Sequence, residues 1–280
     1  MAKIDDFQRK KDYLVCVDSD GCAMDTMDIK HYRCFGPCMV DRWQLGQWGE
    51  EILARWNEIN LYTMTRGINR FKGLAMALTE INEKYTEIPD LDHLVNWVEN
   101  ADELSNASLE REITKVGDSD CLTRALAWSV AVNNAIKQLP EEEIKPFPLV
   151  KEALALAHGV ADVAIVSSAN LGAVMEEWTK HGLLPHTDIV MAQDSGSKAS
   201  CIAALLAKGY SPDRVVMCGD APGDLAAAEK NGVYYYPILV RGEEESWREF
   251  MDCALDKLLD GSYGAGYSDR KKKEFVDNLK

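Results

Sequence analysis

Tyr13-Leu14-Val15-Cys16-Val17-Asp18-Ser19-Asp20-Gly21 runs from an unbroken apolar stretch into two carboxylates and a glycine. The apolar part has the length and composition of a strand buried on both faces in a parallel sheet. The acids that follow stand at its carboxyl end, where open parallel sheets bind their ligands. In extended backbone, residues i and i+2 point the same way, so Asp18 and Asp20 can face one pocket while Gly21 permits a tight turn. A calcium-loop reading fails, because Cys22 occupies the next position where a ligand would be needed.

Similar short apolar runs recur at 163–166, 189–191, 215–218 and 233–239. Between them, 149–158, 171–181, 198–208 and 224–231 carry apolar residues at helical spacing, with Gly159, Gly182, Gly209 and Gly232 as stop signals. Strand and helix alternating in this way predict an α/β fold with a doubly wound parallel sheet. From Asp25 to about Pro146 the strand pattern disappears. Residues 46–60, 68–84, 91–99, 109–115 and 121–138 read as amphipathic helices, broken by Pro89, Gly117 and Pro140. The expected organisation is therefore an α/β core of residues 1–25 and 146–280, with an inserted all-helical domain at 26–145. Pro146-Phe147-Pro148 marks the return to the sheet, and the charged tail from Glu243 is helical in places.

The chain has 280 residues and a formal net charge of −15. So acidic a surface argues against nucleic acid as a partner, and any phosphate site must be built locally from a metal ion, a lysine and backbone N–H groups. Neither a signal peptide nor a membrane span is expected, and the cytoplasm is the expected location. The eight cysteines lack zinc or disulfide spacing and read as buried or free thiols.

Three further pieces complete a chemical set. Val166-Ser167-Ser168 ends one strand and opens a helix, so its hydroxyls serve either as caps or as ligands for an anion. Lys198 follows Asp194-Ser195-Gly196-Ser197 and starts a helix, where a cation opposes the helix dipole unless negative charge lies nearby. Gly219-Asp220-Ala221-Pro222-Gly223-Asp224 ends a later strand. Asp18, Asp220 and the backbone carbonyl of Asp20 could hold magnesium in octahedral geometry. Asp224 could hold a water ligand, orient Lys198, or simply place negative charge at a helix start.

With these four pieces in one order, the chain resembles the haloacid dehalogenase superfamily of phosphohydrolases. The resemblance implies that Asp18 is nucleophile and metal ligand, Asp20 general acid and base, Ser167 a phosphate ligand with Ser168 beside it, Lys198 the charge-balancing lysine, and Asp220 and Asp224 metal-site residues. It implies Mg2+ as cofactor, a small phosphorylated metabolite as substrate, and a mobile cap in the helical insertion. Two departures stand out: Cys22 replaces the usual threonine, and no proline follows Lys198. Asp20 argues against the dehalogenase branch, which needs no acid for a halide leaving group. A phosphomutase remains open, as do a phosphonate hydrolase, for which Lys72 and Lys84 are available, and a silent binding protein. Within the insertion, Arg66 begins the cationic and aromatic stretch Arg66-Gly67-Ile68-Asn69-Arg70-Phe71-Lys72 and is the candidate contact for an anionic group, the alternative being a solvated helix face with Phe71 in the core. His31 and Arg33 have a similar claim, and Trp43, Trp48 and Trp56 read as core.

Overall fold

The computed structural model describes residues 4–264 and 266–280. A five-stranded parallel sheet forms its centre, made of β1 (Leu14–Val17), β2 (Asp162–Val166), β3 (Ile189–Met191), β4 (Val215–Gly219) and β5 (Tyr234–Pro237). Their order is β3-β2-β1-β4-β5. The chain winds outward from β1 in one direction through β2 and β3, then returns to β4 on the other side. The sheet is thus doubly wound, as the sequence predicts. Its switch point lies between β1 and β4, where Val17 pairs with Cys218, and in such sheets this is where ligands bind.

Every residue of β1, β2 and β4 is fully or almost fully buried. That burial explains why these segments read as continuous apolar runs rather than alternating ones. On one face, Val15, Val17, Val163, Ile165 and Val216 pack with Ala153, Leu154, Trp178, Trp247 and Phe250 from neighbouring helices. Fully burying one such aliphatic or phenyl side chain contributes roughly 1.5–3 kcal/mol. The helix Tyr267–Asn278 covers β5, with Phe275 set edge-on to Tyr235 at 5.2 Å between ring centroids.

The chain divides into two compact units, Met1–Met27 with Glu141–Lys280, and Asp28–Pro140. Within the first, the outgoing and returning segments run side by side: Asp25 N–H donates to the Lys145 carbonyl at 2.8 Å and Phe147 N–H to the Ala23 carbonyl at 3.0 Å. The second unit is helical, with a core of its own formed by Trp56, Phe71, Leu78, Trp97, Leu122 and Trp128 among others. Its helix Arg70–Lys84 starts at Asn69, whose side chain accepts from Phe71 N–H at 2.9 Å.

Several local expectations need correction. Gly159 is no stop: the helix runs Val150–Val160 and ends where Ala161 turns extended. Gly182, Gly209 and Gly232 do adopt positive φ, where glycine avoids the Cβ penalty. The helix expected over 46–60 is divided into a short turn at Gly46–Trp48, a helix Gly49–Asn57 and a wide i+5 turn at Glu58–Tyr62. The fifth strand is shorter than its apolar run. Residues 27–42, which carry no periodic signal, are helical throughout, with a wide turn at His31–Phe35 that ends at Pro37's doorstep. In that turn Gly36 N–H bonds to the His31 carbonyl. Shifting the ladder by one residue accommodates a proline that can neither donate nor pack against the preceding carbonyl. All eight cysteines are free.

Candidate active site

The site is built where β1 and β4 end. Asp18, first residue beyond β1, is 5% exposed. Its backbone N–H donates to the Cys218 carbonyl at 3.0 Å, which extends the β1–β4 ladder by one rung and fixes where the carboxylate begins. Ser19 N–H donates to Asp18 Oδ1 at 2.7 Å. The Ser19 carbonyl then accepts from Cys22, Ala23 and Met24 N–H, and Gly21 takes a positive φ to close the turn.

Asp224, fully buried in the first turn of the helix Pro222–Asn231, accepts from Ala221 N–H through Oδ2 at 3.1 Å. Gly219 makes room for it: a Cβ there would lie 2.3 Å from Asp224 Cγ, closer than any real contact. Lys198, at the start of the helix Lys198–Leu206, joins the two acids. Its Nζ donates to Asp18 Oδ2 at 2.5 Å and to Asp224 Oδ1 at 2.6 Å. Asp220 is 1% exposed, and Asp18, Asp220 and Asp224 each offer a carboxylate oxygen within 4.8 Å of the others.

Three buried carboxylates face one ammonium group. Burial pushes Asp18 up to about 6, against the pull of Lys198 and with Asp224 adding repulsion. Burial likewise raises Asp224. For Lys198, burial would lower the ammonium, but Asp18 and Asp224 outweigh it and hold it above its ordinary value. Two of the three carboxylates are thus raised by burial despite their bonds to Lys198, and every ligand atom that the cluster offers is oxygen. A hard divalent cation fits that set.

Asp20 is partly exposed and its Oδ1 accepts from Thr26 Oγ1 at 2.7 Å. Ser167 follows β2, is 3% exposed, and its Oγ accepts from Ala169 N–H at 3.2 Å; Ser168 is exposed beside it. Arg66 belongs to the helical unit, where it is 2% exposed and its Nη1 donates to the Leu61 carbonyl at 2.8 Å. In the same unit Arg70 lies over the Phe35 ring at 5.0 Å and bonds Asn133 Oδ1 at 2.8 Å, and Trp43 and Trp56 are buried core. A groove of about 580 Å3 between helices of that unit is lined by Lys72, Glu80 and Glu99, which are not among the residues that come together as a metal-ligating group among the described residues. Cys22 is fully buried, and burial together with the nearby carboxylates pushes its thiol well above its usual value. It packs as a small apolar group rather than acting as a nucleophile.

Sequence reasoning missed the hydrogen bonds that hold this loop from behind. Trp178 Nε1 donates to Ser19 Oγ at 2.9 Å, Trp247 Nε1 to the Cys22 carbonyl at 3.1 Å, and Tyr235 Oη to the Gly219 carbonyl at 2.9 Å. The only signal available was that these aromatic residues carry polar tips, which find partners when buried.

A family model described as haloacid dehalogenase-like hydrolase matches residues 93–237, just over half of the chain. The match takes in Ser167, Lys198, Asp220 and Asp224 and begins after β1. No curated protein matches. Among solved structures, the chain is similar to a haloacid dehalogenase-like family hydrolase from Xanthomonas campestris at 14% identity and a TM-score of 0.48, covering 91% of this chain and 97% of that one. It is also similar to a haloacid dehalogenase-like family hydrolase from Streptococcus pneumoniae (12% identity, TM-score 0.45, covering 84% and 90%). A third is a predicted phosphatase from Clostridium acetobutylicum (14% identity, TM-score 0.44, covering 81% and 85%).

Proposed function

The chain belongs to the haloacid dehalogenase-like hydrolases, and on that premise we propose that it is a magnesium-dependent phosphatase that hydrolyses a small phosphomonoester through a phosphorylated Asp18. The observation that carries this reading is the buried Lys198 ammonium shared between Asp18 at 2.5 Å and Asp224 at 2.6 Å, beside Asp220. Magnesium would be held by Asp18, Asp220 and the Asp20 carbonyl, with Asp224 close by. Bound there, it would neutralise charge on the transferring phosphoryl group.

An Asp18 carboxylate oxygen attacks phosphorus in line, and the P–O bond to the ester oxygen breaks. The electron pair leaves with that oxygen, which takes a proton from the Asp20 carboxyl. Asp20, now a carboxylate, then removes a proton from water; the hydroxide attacks phosphorus, the bond to Asp18 breaks, and inorganic phosphate leaves. Lys198 and the Ser167 hydroxyl bind the phosphoryl oxygens, with Ser168 at the mouth of the same helix start. Lys198 also keeps Asp18 ionised and oriented while charge accumulates, which is usually the largest catalytic contribution.

The helical unit leaves the core directly after the Asp18–Met24 loop and is proposed as a cap that excludes bulk water during the first step. Arg66, expected from the sequence as a contact for an anionic group, is buried and bonded to the Leu61 carbonyl, so no substrate contact is proposed for it. The substrate is a small phosphorylated metabolite, and the site is proposed to act in the cytoplasm.

The test is phosphate release from a panel of phosphomonoesters, with and without magnesium, comparing wild type with Asp18→Asn. Magnesium-dependent release, lost to background in Asp18→Asn, is expected. Phosphoryl migration within an activated sugar phosphate without phosphate release would replace the phosphatase by a mutase.

A further inference from the structure

Asp18 and Asp20 are separated by a single residue, so the peptide groups of Ser19 set the orientation of both. Ser19 is completely buried, and so are the two indoles that reach the loop. Trp178 comes from the helix Leu171–Lys180, which starts just after Ser167, and donates to the Ser19 hydroxyl at 2.9 Å. Trp247 comes from the helix Glu243–Glu249, in the tail beyond the last strand, and donates to the Cys22 carbonyl at 3.1 Å. The two bonds grip the turn at both ends, from helices on separate parts of the chain. An indole N–H is a donor only, so neither ring has another use for its polar atom when buried. Trp178 and Trp247 also belong to the apolar cluster under the sheet, which restrains their own rotation.

We infer that Trp178 and Trp247 are positioning residues, which hold Asp18 and Asp20 in attacking and proton-transferring geometry through Ser19 and Cys22. This rests on the phosphatase reading for its effect on rate, but not for its effect on the loop. A displacement of about 1 Å in a reacting group costs on the order of 100-fold in rate, so a loosened turn lowers turnover even though neither indole touches substrate.

The test uses Trp178→Phe and Trp247→Phe, which keep an aromatic side chain and lose the N–H, and Ser19→Ala, which removes the acceptor without disturbing either ring. Two readouts are taken: steady-state kinetics, and hydrogen–deuterium exchange of the peptide carrying residues 18–24. Each variant is expected to lose about tenfold or more in kcat with KM changed less than twofold, and to exchange faster in that peptide while peptides of β2 and β4 stay as in wild type. Ser19→Ala combined with Trp178→Phe should cost no more than either alone, because both remove one bond. Unchanged exchange in residues 18–24 overturns the proposal. So does faster exchange with kcat within twofold of wild type, because the grip then has no catalytic consequence. A wild type that releases no phosphate from any ester defeats the phosphatase reading instead, and the exchange result still decides whether the tryptophans hold the loop.

Discussion

Lys198 stands at the first helical position, where a cation opposes the helix dipole, and Asp18 and Asp224 supply the charge that makes it tolerable there. Replacing it with Met leaves two buried carboxylates without their partner. Breaking a buried pair in this way costs about 3–5 kcal/mol, offset in part when the acids take up protons. The expected outcome for Lys198→Met is a loss of phosphate release of on the order of 100-fold or more, with a lowered thermal midpoint that magnesium partly restores. Activity within tenfold of wild type would contradict the role. Gly219→Ala tests the other side of the same cluster. Its Cβ would sit 2.3 Å from Asp224 Cγ and 2.4 Å from Asp224 Cβ, so the carboxylate must move away from Lys198. Overpacking of this kind costs about 1–3 kcal/mol, and magnesium affinity measured by calorimetry should fall as well. Asp18 and Lys198 stood out in the sequence because each is odd where it stands, an acid at a strand end and a lysine at a helix start; Asp224, an acid in the first turn of a helix, is ordinary there, and orienting Lys198 was one of three readings left open for it. The Trp178–Ser19 bond was not, because its partners lie 159 residues apart and neither residue type is unusual locally.

Elements were legible in proportion to how far their own residues decide them. β1 and β4 are buried on both faces, so an apolar run ending in an acid marks them without help. Within the expected helical insertion, the helices through 27–42 were not placed because that stretch carries no periodic signal, and the i+5 turn before Pro37 lets the helix continue. The tail was equally opaque: Tyr263 and Phe275 are buried against β5, through Tyr263 Oη donating to the Tyr235 carbonyl at 2.9 Å and the Tyr235–Phe275 contact. No local pattern encodes those partners. At the opposite end of the sheet, Asp188 ties elements together. It accepts from Val163 N–H at 3.0 Å and from Lys10 Nζ at 2.9 Å. Burial alone would raise its carboxyl, but those two donors, with His158 beside them, hold it below its ordinary value. A depressed carboxylate contributes stability that is present above its unfolded value of about 3.9 and is lost as pH falls through the lower folded value. Asp188→Asn should therefore be less stable than wild type at neutral pH by about 1–2 kcal/mol, with the difference shrinking below about pH 4. Thermal melts across pH check this; a gap that stays constant down to acid pH would contradict it.

At the scale of the whole molecule, the −15 charge sets the long-range field while the site sets the short-range one. On the proposed phosphatase reading, a phosphorylated substrate would be repelled until it came close and would then meet Lys198 and the bound magnesium. Screening weakens the first effect far more than the second, since the Debye length is about 8 Å at physiological ionic strength. At fixed free magnesium, KM for an anionic phosphomonoester should therefore fall as salt rises from about 10 to 150 mM, whereas a basic surface patch guiding the substrate would make it rise. Composition made this field readable at once. No helix among the described residues is long and apolar enough to cross a membrane. Which ester the proposed phosphatase would take was not legible, because no local pattern shows which cations of the helical unit are already engaged, as Arg66 is with Leu61 and Arg70 with Asn133.

The proposed mechanism turns on a covalent bond between Asp18 and phosphorus, and mass spectrometry of the peptide carrying Asp18, after acid quench during turnover, detects that bond. One phosphoryl group on Asp18 is expected, removed by hydroxylamine and absent from Asp18→Asn. Sustained phosphate release with no phosphoryl group on that peptide, or release that persists in Asp18→Asn, would contradict it.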